Sequence, residues 1–286
     1  MKVCLCMCVK NNEFGLKYKL LNHINTLETY FGKDNVKIMV AYDEGKSNDK
    51  SLELLKEYNS KNNNVIQIFD MTHINKNISV RTIRIANARN KLLDEIKQKY
   101  SMYDYFIFMD TNEYACIGDM NTSVLDYVFE NKDKWDSVSF NREAGYYDTW
   151  ALSFDPFIYS FFHFNDWKFV VNRMRNHWNN ILTNSKDGDF INVYSAFNGF
   201  AIYKVEKFLN CSFSANIHMD LFPENSIEKN VQYAKRNILQ SLEGDVDHRK
   251  IFLESIKKNN SKIVVCNKSL FKKVNEDFVK KLRGEA

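Results

Sequence analysis

The segment Tyr105-Phe106-Ile107-Phe108-Met109-Asp110-Thr111-Asn112 runs apolar and then ends in an acid, a small polar residue and an amide. Such a run reads as a buried strand, and a carboxylate at its carboxyl end opens into the crevice where α/β sheets bind ligands. Oxygen ligands placed there suit Mg²⁺ or Mn²⁺, hard cations that bridge protein to diphosphate. Asp110 and Asn112 are therefore candidate metal ligands. The competing account is a strand followed by an Asx turn.

Other segments offer related chemistry. Asp43 closes a second apolar run, where its carboxylate would accept from ribose hydroxyls or a base N–H, or would serve a turn. Lys10 follows the first apolar run and would stand with Asp43 near the base and ribose, while Ser47 and Asp49 suit caps of the next helix. Arg81, Arg84 and Arg89 open a helix, where guanidinium forks and the positive helix end match a diphosphate. Arg81, Arg84 and Ala88 share a helical face and Arg89 points elsewhere, so the three cannot all grip one phosphate. Arg81 and Arg89 are assigned to the diphosphate, and Arg84 to a solvated basic face. Far along the chain, Asp245-Val246-Asp247-His248-Arg249 sets a histidine among acids, which makes His248 a candidate metal ligand.

Tyr146-Tyr147-Asp148-Thr149-Trp150 and Ser195-Ala196-Phe197-Asn198-Gly199-Phe200 mix aromatic rings with short polar groups. Rings beside carboxylates and amides bind pyranoses, whose C–H patches are rimmed by hydroxyls. Asp148, Trp150 and Asn198 are accordingly candidates for holding a sugar donor, and core packing competes for Phe197 and Phe200. The chain has no Gly-x-Ser-x-Gly, Walker loop or Gly-x-Gly-x-x-Gly, so hydrolase, P-loop and dinucleotide readings lose support.

Strands at Val3 to Val9, Val36 to Tyr42, Val65 to Phe69 and Tyr103 to Met109 alternate with helices at Leu16 to Phe31, Lys50 to Asn59 and Thr82 to Lys99. That alternation predicts an α/β fold with a mostly parallel central sheet flanked by helices. The second half reads as aromatic-rich and irregular, with strands at Phe200 to Tyr203 and Lys262 to Val265. With two prolines and nine glycines, little material exists for a linker, so a single domain over 1–286 is expected. Its nucleotide-sugar half would be 1–115, and its acceptor and metal half 116–286. A net charge of +4 with no basic tract excludes an obvious nucleic-acid partner. Cys4, Cys6 and Cys8 share one strand face, and all six cysteines read as reduced small hydrophobes of a reducing compartment. No apolar run reaches the length of a membrane span, so a cytoplasmic protein is expected, in a host cytoplasm if virus-encoded.

In combination these segments resemble glycosyltransferases of the nucleotide-sugar-binding GT-A fold. More narrowly, the chain is similar to the fungal capsule-associated α-1,3-mannosyltransferase family through Arg84 to Asn90, Tyr147 to Trp150, Phe197 to Gly199, and Asp247-His248 followed by Lys262 to Val265. Two departures stand out: the usual Asp-x-Asp appears as Asp110-Thr111-Asn112, and the membrane anchor of fungal relatives is not seen. The resemblance implies a metal-dependent transferase that moves a hexose from a UDP- or GDP-sugar to a hydroxyl on a glycan or protein. Asp110 and His248, helped by Asn112, would hold Mn²⁺ or Mg²⁺, and Asp247 would activate or orient the acceptor hydroxyl. Retention of anomeric configuration would follow, and the oligomeric state is left open. The alternative is a non-catalytic carbohydrate-binding or scaffolding protein on a decayed transferase fold, which Asn112 in place of an acid supports.

Overall fold

The computed structural model describes residues 1–63, 65–143, 145–238, 244–274, 277 and 280. Strand β1 (Val3–Val9) lies at the centre of an eight-stranded sheet. Its seven residues pair in parallel with all seven of β2 (Val36–Tyr42), and on its other side with β4 (Tyr105–Met109). Strand β3 (Gln67–Asp70) closes this edge, parallel to β2. Beyond β4 the order continues β7 (Phe200–Lys204), β5 (Ser137–Asn141), β8 (Ile263–Ser269) and β6 (Phe190–Asn192). Strand β7 runs antiparallel to both β4 and β5, and β6 antiparallel to β8; the other four pairings are parallel. Strands from both halves of the chain thus form one sheet.

Apolar residues alternate along β1, because successive strand side chains point to opposite faces. Cys4 and Cys6 pack with helix α5 (Arg81–Lys99), while Val3, Leu5, Met7 and Val9 pack with Leu16, Leu20, Ile24 and Leu27 of α1 (Glu13–Leu21) and α2 (His23–Phe31). The expected single helix from Leu16 to Phe31 is broken at Asn22. There both the backbone N–H and the side-chain amide of Asn22 donate to the Tyr18 carbonyl, a local competition that ends a helix. Helix α3 (Ser51–Lys61) and the short α4 (Thr72–Asn75) flank the β2–β3 edge.

The second half is more regular than its sequence suggests. It contains α6 (Thr122–Glu130) and α7 (Trp167–Asn184), the latter inside the stretch read as irregular. Helix α7 buries Val170, Val171, Met174 and Trp178 at helical spacing, and the Asp166 side chain accepts from the Phe169 N–H to start it. Short helices α8 (Val205–Phe208) and α9 (Ser226–Ala234) follow, then α10 (Asp247–Asn259), which packs against α5. Among the described residues no helix is long and apolar enough to cross a membrane.

This topology gathers distant segments at one end of the sheet. Antiparallel pairing sets Phe200, where β7 begins, opposite Met109, where β4 ends. The Asp110 N–H then donates to the Gly199 carbonyl at 2.8 Å, so residues 197–199 sit beside the Asp110 loop. Gly199 has φ +87°, and a Cβ there would lie 2.7 Å from that of Ala115, so the approach requires glycine.

Candidate functional site

Parallel strands β1, β2 and β4 end together, and the chain leaves β1 for one side and β4 for the other. A crevice forms at such a switch point. Here it is a cleft of about 460 Å³. Its walls carry Lys10 from the β1 end, Asp43 from the β2 end, and Asp110 and Asn112 from the β4 end. Arg81, Arg84 and Arg89 of α5, Asp148 and Trp150 of the loop after β5, and Asp247 and His248 of α10 complete it. Of the residues expected at the site, only Asn198 does not line the cleft. Its Oδ1 accepts from the N–H groups of Tyr147 and Asp148, and its Nδ2 donates to the Phe140 carbonyl. Asn198 positions the Asp148 segment, and both of its side-chain polar atoms are engaged with the protein.

At the β2 end, Asp43 is buried, and Arg84 Nε lies 3.4 Å from its Oδ2. The other carboxylate oxygen, Oδ1, has no hydrogen-bond partner. Arg84 also donates to the carbonyls of Ile78 and Ser79, so it braces the wall and does not form the solvated face expected of it. Asn75, wholly buried in the same cleft, donates nothing through its Nδ2, while its Oδ1 accepts from Asn87. An unused acceptor and an unused donor thus both belong to residues that line this cleft. Buried polar groups in native proteins are nearly always paired, so both atoms are open to a partner in the cleft, whether ligand or water.

At the opposite end the charges are tightly coupled. Arg89 is buried, with its Nε 2.6 Å from Asp247 Oδ2 and a terminal nitrogen 3.6 Å from Asp110 Oδ1. Its guanidinium also lies over the rings of Phe108 and Phe197, at 4.8 and 4.6 Å. Burial raises the carboxyl pKa of both Asp110 and Asp247, an effect partly offset by Arg89. Asp148 is pushed up to about 7, first by burial and then by the nearby Asp110 charge. His248 stacks on Phe197 with ring centroids 4.0 Å apart, and burial and then Arg89 hold its imidazole neutral.

The residues assigned to a metal do not assemble as a donor set. Asn112 spends its side-chain oxygen on the N–H groups of Tyr114 and Ala115, at 2.9 and 2.7 Å, and so folds its own loop. Arg89 stands against both Asp110 and Asp247, so the charge of these two acids is already met by a side chain. His248 is buried, with an unpartnered Nε2 that lies 3.7 Å from Asp247 Oδ2. Among the described residues, no three His, Cys, Asp or Glu side chains are grouped so as to hold an ion. The side chains of Asp110, Asp247 and His248 do line one cleft, and Arg89 pairs with the two acids.

The supports beneath the site lie in helices and loops without a motif. Lys19 of α1 is fully buried and donates from Nζ to the Asn112 carbonyl at 2.8 Å. Burial lowers its pKa to about 8. Thr111 Oγ1 donates to the Cys8 carbonyl, and it lies 3.0 Å from Asn12 Oδ1, tying the β4 exit to the β1 exit. Asp49 accepts from the N–H groups of Ser51 and Glu13, so it joins the starts of α3 and α1. Arg249 is buried and donates to Asp245, to the Ile158 carbonyl and to the Trp150 carbonyl. It fixes the aromatic loop against the start of α10.

No protein-family model matches the sequence, and no curated protein does either. Among solved structures, the chain is similar to residues 1–349 of S. aureus TarS in complex with UDP, at TM-score 0.43 and 14% identity over 99% of this chain and 64% of that one. It is also similar to glucosyl-3-phosphoglycerate synthase from Mycobacterium tuberculosis, bound to Mn²⁺, UDP-glucose and phosphoglyceric acid, at TM-score 0.45 and 9% identity over 98% and 75%. The galactosyltransferase LgtC, in complex with donor and acceptor sugar analogues, gives 0.38 and 11% over 92% and 72%. The chain spans less than two thirds of the TarS chains it matches. Likeness at these scores is one of general layout and decides nothing about ligand, metal or reaction.

Asn75 in the cleft wall, and Gly15 and Lys19 beneath it, are among the residues that sequence reasoning misses. Asn75 lies in a four-residue helix with no motif around it. Gly15 carries a signal in principle, being a glycine within an amphipathic pattern. A Cβ on it would stand 2.2 Å from the Thr111 carbonyl oxygen, so α1 packs directly on the Asp110 loop.

Proposed function

We propose that the protein is a glycosyltransferase that moves a hexose from a UDP- or GDP-sugar to a hydroxyl on a glycan or protein. The observation that carries this reading is that the unpaired acceptor of Asp43 and the unpaired donor of Asn75 are both buried in the wall of one cleft at the sheet's switch point. A nucleoside offers matching base and ribose groups. Lys10 and Arg81 line the cavity, are exposed, and make no ion pair among the described residues, so they are free to face a diphosphate. Trp150, with Phe162 packed edge-on at 5.0 Å and the exposed Trp167 beyond it, supplies apolar faces for sugar rings.

In the reaction the bond from the donor's anomeric carbon to the diphosphate oxygen breaks, its electrons leaving with the nucleoside diphosphate. Lys10 and Arg81 stabilise the charge that develops there. The acceptor oxygen bonds to the anomeric carbon and loses its proton. Asp148, half-buried in the cleft and pushed up to about 7, takes that proton in this reading. Asp247 is less suited to the role it was assigned, because its carboxylate is buried against Arg89.

A thermal-shift panel of UDP-, GDP- and CMP-sugars tests the proposal. A donor at 100 times its dissociation constant should add about 2.7 kcal/mol of stability. The same panel followed by a turnover assay separates this reading from a non-catalytic carbohydrate binder, which would bind without transfer.

A further inference from the structure

We infer that the cleft carries its own cations in place of a divalent metal: Arg89 neutralises the acids at its floor, and Lys10 with Arg81 meets the diphosphate. The inference rests on the nucleotide-sugar reading above. It is motivated by the placement of charge. The cleft is lined by four cationic side chains, Lys10, Arg81, Arg84 and Arg89, and by four carboxylates, Asp43, Asp110, Asp148 and Asp247. Arg84 is matched to Asp43, and Arg89 to Asp247 and Asp110. Two cations remain at the surface of the cavity. The remaining acid, Asp148, is also the one most readily held neutral by its surroundings.

A metal in this position normally does two things: it gathers carboxylates that would otherwise repel, and it neutralises the leaving diphosphate. Arg89 performs the first. It is held in place by the rings of Phe108 and Phe197 and is buried, so it is a fixed part of the wall and not a mobile side chain. An amide at position 112 fits the same arrangement. Asn112 retains the oxygen that folds the loop but adds no further negative charge for a cation to balance. Arginine is suited to this task because it stays charged when buried and reaches two carboxylates with separate nitrogens.

The test is calorimetric titration of UDP and of GDP into the full chain in EDTA and in Mn²⁺, with Mn²⁺ uptake by the nucleotide-free protein followed by electron paramagnetic resonance. The expected result is that one nucleotide binds with the same affinity in both buffers, and that wild-type protein leaves the free Mn²⁺ signal unchanged. Arg89→Met, which strips the acids of their cation, should weaken that nucleotide in EDTA roughly tenfold to a hundredfold, and Mn²⁺ should recover part of the loss. Nucleotide binding that requires Mn²⁺, or uptake of Mn²⁺ by the wild-type protein, overturns the inference and leaves the transferase reading standing. Absence of UDP and GDP binding in either buffer overturns both. Wild-type-like binding by a folded Arg89→Met in EDTA also overturns the inference; the wild-type comparison decides the matter if that variant does not fold.

Discussion

Gly15→Ala gives a test in which local and tertiary reasoning predict opposite signs. Alanine is the better helix former, so α1 considered alone would gain roughly 0.5–1 kcal/mol. In the folded chain the added Cβ would lie 2.2 Å from the Thr111 oxygen, 2.5 Å from the Asn112 carbonyl carbon and 2.7 Å from its oxygen. All three are backbone atoms, so no rotamer change relieves the contact; either α1 or the Asp110 loop must move. Overpacking of this kind costs typically about 1–3 kcal/mol. Three backbone contacts this short place the cost at roughly 2–3 kcal/mol, so subtracting a propensity gain of up to about 1 kcal/mol leaves an expected loss of roughly 1–2 kcal/mol. At about 2–4 °C per kcal/mol for a chain of this size, the melting temperature should fall by roughly 2–8 °C. Because Lys19 reaches the Asn112 carbonyl from the same helix, displacement should also loosen the loop that carries Asp110, and nucleotide affinity should fall with stability. Urea denaturation and thermal melts of the variant measure the first effect, and nucleotide titration the second. A variant that melts at or above the wild-type temperature refutes the claimed packing of α1 on the loop.

Three further outcomes follow. Asn112→Asp should keep wild-type stability, since a carboxylate accepts the same two loop N–H groups, whereas Asn112→Ala should lose on the order of 1–3 kcal/mol; equal urea midpoints for the two variants would remove the loop-folding role. Lys19 has a folded-state pKa of about 8 against 10.5 in its ordinary state, so between those values the unfolded chain binds more protons and wild-type stability should rise with pH relative to Lys19→Met. The gain is on the order of 3 kcal/mol, complete near pH 10.5 and absent below about 8, and parallel stability curves for the two proteins would contradict it. Asp148 shifts the other way, from 3.8 to about 7, so the folded chain binds more protons in that window, and wild type should lose stability relative to Asp148→Asn as pH rises through it. Transfer by wild type should climb through the same upper value, and a climb that persists in Asp148→Asn would remove the residue from the proton path.

The strands that shape the cleft were readable because they are buried on both faces and carry uninterrupted apolar runs. Val3–Val9 and Val36–Tyr42 occupy the bounds their sequences imply, and β4 ends at Met109 as its polar stop suggests. Residues just past such ends must enter the crevice, which is why Lys10, Asp43 and Asp110 could be picked from a single chain. What was hidden is pairing. Arg89 faces Asp247 because α10 returns to pack on α5, and no local pattern encodes that. Likewise Asn112 looks like a weakened ligand in the sequence, while in the fold its oxygen closes a turn. Helix α7 escaped notice because its aromatic residues masked the spacing of Val170, Val171, Met174 and Trp178. Asn198 stands among aromatic and polar neighbours in the sequence, while in the fold its side chain holds the Tyr147–Asp148 backbone.

The claim that the cleft receives a nucleotide-sugar donor is tested most directly by titrating UDP and GDP into wild type, Asp43→Asn and Arg81→Ala. The account predicts saturable binding of one nucleotide to wild type. That binding should weaken roughly tenfold to a hundredfold in each variant, as loss of a hydrogen bond to a charged group implies. Failure of wild type to bind either nucleotide, or equal affinity in all three proteins, would contradict it.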